Sequence, residues 1–362
     1  VSPYHDGAAG RRRSLLPQPP AAEGPGLARP ATWPPLPRVV FSFSTSPVRI
    51  GRTAALVRSL CDQRPPPARV VVALPQRHAR MPSVRWDIPL FLTDQAARAC
   101  GVDVLFDDGP ADPGPALKLS KAVEAEEALS AGPTVFITID DDKIYRPGLV
   151  ADLLEAHGQH PRAAIGFAGS STSRSHFCIV QGCSGRGEIE LPNLEGFAAV
   201  LYPRETLGTA ADLKRFLREV PQPCSTADDL IFSAMLHQRG VKVLRLFGRT
   251  DPIIGGFEDD TGLHSRMTKS VHIEWHPEEM KKYQMCLSSR HSIFESLHRL
   301  AEAFRNASVP VVRHGELRCN KWCYRFQCPG RDVSCERRAA VWDKATFGWI
   351  QPPKSSILPA SM

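Results

Sequence analysis

No apolar run among the 362 residues reaches the length of a bilayer crossing, so no membrane-spanning segment is expected within the chain. Nor is there a basic stretch interleaved with aromatics. The formal charge of +7 is spread along the chain, which argues against a nucleic-acid partner and only weakly favours an anionic ligand. Paired Cys-X2-Cys knuckles are missing, and with them the strongest zinc signature. The first strand is not followed by the glycine-rich, basic loop with which a sugar nucleotidyltransferase would cradle phosphates; STSPVRIGR is a poor version of one. What is present, 42% hydrophobic and 23% charged residues, suits a globular chain with one sizeable core plus an appendage, or two domains.

Residues 1–38 are rich in Pro, Ala, Gly and Arg without periodicity, cannot bury enough apolar surface to offset their ordering entropy, and are expected to be a disordered, stem-like segment. The chain begins at Val1 and not at Met, which leaves room for an anchoring segment ahead of it; membrane attachment is expected only by that route.

From Val39 the pattern changes. VVFSFSTS predicts a strand, residues 52–60 a helix with Leu56, Val57 and Leu60 at helical spacing, and RVVVAL at 69–74 a second buried strand. Strand, helix, parallel strand opens a doubly wound α/β sheet, whose ligands bind beyond the carboxyl ends of the strands. Residues 102–106 predict a third strand, followed by a helix carrying Lys118 in its first turn. A lysine there opposes the helix dipole, which marks it as a candidate phosphate contact.

The centre of the pattern is TVFITIDDDKIYRPGLVADLL. Residues 134–139 predict a strand buried on both faces, and Asp140, Asp141 and Asp142 follow at once. If side-chain alternation continues through the strand end, Asp140 and Asp142 point the same way and Asp141 the other. Two same-side carboxylates repel unless a cation lies between them, and their hard oxygens suit Mn2+ or Mg2+, completed by phosphate oxygens and water. A second acidic pair, Asp228 and Asp229, opens the helix of STADDLIFSAMLHQRG, with Thr226 as its expected cap. As helix N-terminal charges both are also explained without any function.

STSPVRIGRTAALVRSLCDQRPPPARVVVALP, GPALKLSKAV, FITIDDDKIYRPG, EGFAAVLYPR and DDLIFSAMLHQRGVKVLRL, in that order, resemble a nucleotide-sugar-dependent glycosyltransferase of the GT-A fold, more narrowly a group of family-2-like transferases. The resemblance covers about residues 39–246. It implies a GT-A type, mainly parallel sheet flanked by helices and a nucleoside diphosphate sugar donor. It also implies a hydroxyl acceptor on a glycan, protein or lipid, and a Mn2+ or Mg2+ cofactor. Asp140 and Asp142 would serve the metal, with Asp140 and Asp141 beside the donor. Asp229, or secondarily Asp228, would be the general base of an inverting reaction; a retaining mechanism would leave both structural or acceptor-binding. Thr45, Arg49, Arg52 and Lys118 would be donor contacts, Glu195, Gly196 and Phe197 acceptor contacts, and His264 or His272 a further metal ligand. A catalytically inactive carbohydrate-binding relative would keep the same fold.

Residues 164–167 and 177–180 predict strands separated by the Ser/Thr-rich loop GSSTSRS. Residues 251–310 predict a helical extension whose start, 251–261, is turn-rich and acidic, and 311–362 a Cys-rich tail in which Cys319, Cys323, Cys328 and Cys335 suit a disulfide knot with three open connectivities better than a zinc site. With the sequon Asn306-Ala307-Ser308 and the stem-like start, this favours the Golgi or endoplasmic reticulum lumen over the cytoplasm.

Overall fold

In the structure, a computed structural model, residues 36–109, 112–129, 132–172, 176–257, 264–267, 273–275, 286, 292–306, 311–312, 318–325 and 342–343 are described. Almost the whole of the expected stem, and most of the Cys-rich tail, lie outside them.

The core is a sheet built on four parallel strands. β1 (Arg38–Ser44) lies between β2 (Arg69–Pro75) and β4 (Thr134–Thr138), and β3 (Val102–Asp107) pairs with β2. All five residues of β4 are buried, as its unbroken apolar sequence requires. Beyond β4 come β11 (Val200–Pro203), antiparallel, then β6 (Ala164–Gly166), β12 (Val243–Phe247), β9 (Gly187–Glu190) and the short β16 (Val311–Val312), nine strands among the described residues. The pairings leave β9 and β11 alone running against the rest.

Alternation along the strands sorts their side chains to two faces. Phe41, Phe43, Val70 and Val72 pack with Leu56 and Leu60 of α1 (Ala54–Cys61) and with Leu149, Val150 and Leu153 of α4 (Leu149–Gln159). Val40, Val71 and Phe136 pack on the other face with α3 (Leu117–Glu127), α6 (Ala210–Glu219) and α7 (Asp228–Gln238). The short α2 (Gln95–Ala99) adds Ala97 to the first layer, α5 (Arg204–Leu207) adds Leu207 to the second, and α8 (Glu295–Asn306) adds Leu297 there. This is an α/β sheet sandwiched by helices, as the sequence predicts. Among the described residues no helix is long and apolar enough to cross a membrane.

Three expectations are corrected. The Ser/Thr-rich stretch after Phe167 is in part strand β7 (Gly169–Thr172), paired with β8 (His176–Ser184) and β10 (Asn193–Leu194); cross-strand partners override turn-forming composition. Residues 253–256, expected as turn, form β13 (Ile253–Gly256), paired with β5 (Lys143–Tyr145) directly after the three aspartates. Thr226 does not cap α7: Ala227 occupies that position and makes no side-chain cap. The cysteine-bearing segment Arg318–Arg325 is strand β17, antiparallel to β8, so part of the tail completes a second sheet. Disulfides Cys61–Cys100 and Cys224–Cys286 are formed, and Cys178 and Cys183 are disulfide-bonded as well.

Candidate functional site

The topology decides where the site lies. β1 and β4 are parallel neighbours, so the turn after β1 and the aspartates after β4 emerge at one edge. β11 is antiparallel to β4, with Val200 opposite Thr138, so the residues leading into β11, Glu195 to Ala199, start at that same edge. Ala199 has φ 72, a left-handed value that costs a non-glycine residue about 1–3 kcal/mol. The turn is therefore held by its surroundings and not by local preference.

β4 ends at Thr138, and Asp141 and Asp142 lie in a turn, so strand alternation does not continue through the acidic run. The expected pairing of Asp140 with Asp142 is replaced by another. Arg49 Nη2 sits 3.0 Å from Asp141 and 3.1 Å from Asp142, whereas Asp140 turns to Lys118 Nζ at 2.9 Å. Thr45 Oγ1 donates to Asp141 at 2.5 Å. Burial pushes the Asp141 carboxyl up to about 6, against the opposing pull of Arg49 and Thr45. Burial also opposes ionisation of Asp140, but the charge and hydrogen bond of Lys118 outweigh it and hold that carboxyl below its ordinary range.

Lys118 is the hinge of the arrangement. Its side chain is 3% exposed and pairs with Asp228 at 2.8 Å as well as with Asp140. The expected phosphate contact is thus a buried cation joining the two acidic groups, and the carboxylates keep it protonated despite its burial. Asp229 Oδ1 accepts the Gly196 N–H at 2.7 Å. Burial first and the Asp228 charge second push the Asp229 carboxyl well up, and burial raises Asp228 against the pull of Lys118. Glu195 is likewise raised by burial, opposed by a hydrogen bond with Ser170 and by Arg245. Phe197 remains 38% exposed.

Gly196 lies against all of this. A Cβ there would meet Asp229 Oδ1 at 3.1 Å and Lys118 Nζ at 3.2 Å, closer than ordinary packing allows. Gly196→Ala is expected to cost about 1–3 kcal/mol of stability, the range of overpacking in a buried site, measurable by denaturant titration.

Arg52 stacks on Phe257, its guanidinium carbon 4.4 Å from the ring centroid, and Arg49 lies over the same ring at 5.4 Å. Phe257 directly follows β13 and donates its N–H to the Asp142 carbonyl at 3.0 Å. Neither Phe257 nor Tyr145, whose hydroxyl contacts the main chain at Asp140, stands out in the sequence, where an aromatic next to a short strand reads as core. The one signal for Tyr145 is its place five residues after Asp140. His264 begins strand β14 (His264–Met267), antiparallel to residues 273–275, and His272 lies outside the described residues.

Among the described residues no group of three or more His, Cys, Asp or Glu side chains is gathered to hold a metal. The site does offer one or two carboxylates, the share that Mg2+ or Mn2+ takes when phosphate and water complete the shell. Asp140 and Asp142 keep 39% and 27% of their side-chain surface exposed, and Asp142 Oδ1 is a buried oxygen without a hydrogen bond, 3.3 Å from Lys143 Nζ as an ion partner. Their hard oxygens are of the chemical type a divalent cation takes, although Lys118 pairs with Asp140 and both Arg49 and Lys143 pair with Asp142. No family model matches the chain, and a search of curated proteins finds no match.

Proposed function

We propose that the chain is a metal-dependent glycosyltransferase that moves a sugar from a nucleoside diphosphate sugar to a hydroxyl acceptor with inversion. The observation that carries this reading is the meeting of two acidic groups from distant parts of the chain, Asp140–Asp142 and Asp228–Asp229, at the carboxyl edge of a parallel sheet, with the acceptor-side turn at Gly196 between them. Asp229, fixed through one oxygen by the Gly196 N–H, takes the proton of the acceptor hydroxyl as the hydroxyl oxygen attacks the anomeric carbon and the diphosphate departs from the opposite face. Arg49 and Arg52, stacked on Phe257, face the diphosphate. Phe197 and Glu195 flank the acceptor. A Mn2+ or Mg2+ held by Asp140 and Asp142 would neutralise charge gathering on the leaving group. The disulfides at Cys61, Cys100, Cys224 and Cys286 support an oxidising compartment, the Golgi or endoplasmic reticulum lumen.

Calorimetry with UDP and GDP, with and without Mn2+, tests the reading. Binding of one nucleotide that needs the metal and is lost in Asp142→Ala is expected. Absence of binding by either nucleotide under any metal condition would overturn the transferase assignment and leave a carbohydrate-binding protein as the better account.

A further inference from the structure

Tyr145 ends strand β5 and is 1% exposed. A phenol buried so deeply requires hydrogen-bond partners, and its partners lie on the two sides of the site. Its O–H donates to the Phe197 carbonyl at 2.8 Å, and the Asp140 N–H donates to the same phenol oxygen at 3.4 Å. The contacts run on from there, because Gly196, the residue before Phe197, donates its N–H to Asp229. The tyrosine is itself anchored: its N–H donates to Ser59 Oγ of α1 at 3.2 Å, and β13 pairs with its strand. One buried oxygen therefore joins the main chain of the first acidic group to the main chain of the turn that orients the second. Lys118 spans the same gap only through a long, rotatable side chain.

We propose that Tyr145 is a positioning residue whose hydroxyl sets the placement of Asp140 relative to Asp229. Its catalytic consequence rests on the transferase reading above; the tie itself does not. In that reading Asp140 belongs to the donor side and Asp229 to the acceptor side, so their separation governs whether nucleophile and leaving group fall in line.

Tyr145→Phe removes one oxygen and leaves the ring in the core, so the fold is expected to persist. Residue-resolved hydrogen exchange tests the tie without substrate. The Gly196 and Asp140 amides are expected to exchange about five- to tenfold faster in the variant, the scale of one neutral hydrogen bond, while Phe136 and Ile137 within β4 keep their protection. Steady-state kinetics test the consequence. The transfer kcat is expected to fall about 10²-fold with the donor KM unchanged, a split that marks misplacement and not lost binding or lost fold. Unchanged exchange at both amides overturns the tie. Faster exchange with an unchanged kcat overturns the positioning role. If the wild-type protein binds no nucleoside diphosphate, the transferase reading fails on its own, and the exchange result still decides whether the hydroxyl joins the two carboxylates.

Discussion

Replacing Asp229 by asparagine is expected to slow sugar transfer by about 10²- to 10⁴-fold while leaving nucleoside diphosphate affinity unchanged. The variant keeps an oxygen that can accept the Gly196 N–H, so the 2.7 Å contact and the turn survive and only the proton-accepting function is lost. The pH profile supplies an independent check. Burial and the neighbouring Asp228 raise the Asp229 carboxyl well above its ordinary range, and a base works only when deprotonated. The wild-type kcat/KM should therefore rise with pH along a limb displaced upward from a normal aspartate, and the limb should vanish in Asp229→Asn. Asp228→Asn removes a like charge and frees Lys118, and both changes lower the proton affinity of Asp229. The limb should then move to lower pH. The same shift has a sign for stability: the contribution from Asp229 is complete below the unfolded carboxylate pKa and is lost as pH rises through the raised folded value. An Asp229→Asn variant with near wild-type turnover would remove the residue from the role of base.

Much of this architecture is legible in the sequence because it rests on local pattern. β1, β2 and β4 are short runs dominated by apolar and β-branched residues, and α7 carries its acidic start and broad apolar face in consecutive residues. The acidic run after β4 and the pair at the start of α7 are likewise visible as clusters. Their relation to one another is not. That Lys118 points inward to Asp140 and Asp228 depends on how α3 packs against β1 and β2, which no periodicity encodes. Alternation does not carry over to Asp140 and Asp142 because β4 ends at Thr138, two residues before the first carboxylate, where backbone direction changes and Arg49 gathers Asp141 with Asp142 instead. β7 and β13 were hidden for a related reason. The residues of β7 are polar or small and β13 is two isoleucines followed by two glycines, and only cross-strand partners from elsewhere in the chain make them extended. Phe257 meets the site through a main-chain bond that any residue type could make, and the phenol of Tyr145 bonds main-chain groups, the Phe197 carbonyl and the Asp140 N–H, whose nearness is set by tertiary structure, so neither gives advance notice in the sequence.

The largest stability effect is expected at Lys118. Lys118→Met fills nearly the same space with an apolar chain but leaves Asp228, whose side chain is 12% exposed, and one oxygen of Asp140 without their cation. Removing one partner of a buried ion pair destabilises by about 3–5 kcal/mol, because the remaining charge is left in a medium that solvates it poorly. Denaturant unfolding at neutral pH should show a loss of that order. If the loss comes from stranded charge and not from packing, two further results follow. The double variant Lys118→Met with Asp228→Asn should recover part of the stability, since the amide no longer needs a counterion. The deficit of the single variant should also shrink as pH falls. Lys118 now holds Asp140 ionised; without it both carboxylates take up protons more readily, and the variant is relieved by protonation while the wild type loses its ion pair. A loss below about 1 kcal/mol, the range of an exposed surface pair, would mean that water reaches the pair freely and that Lys118 is not the buried link between the two acidic groups.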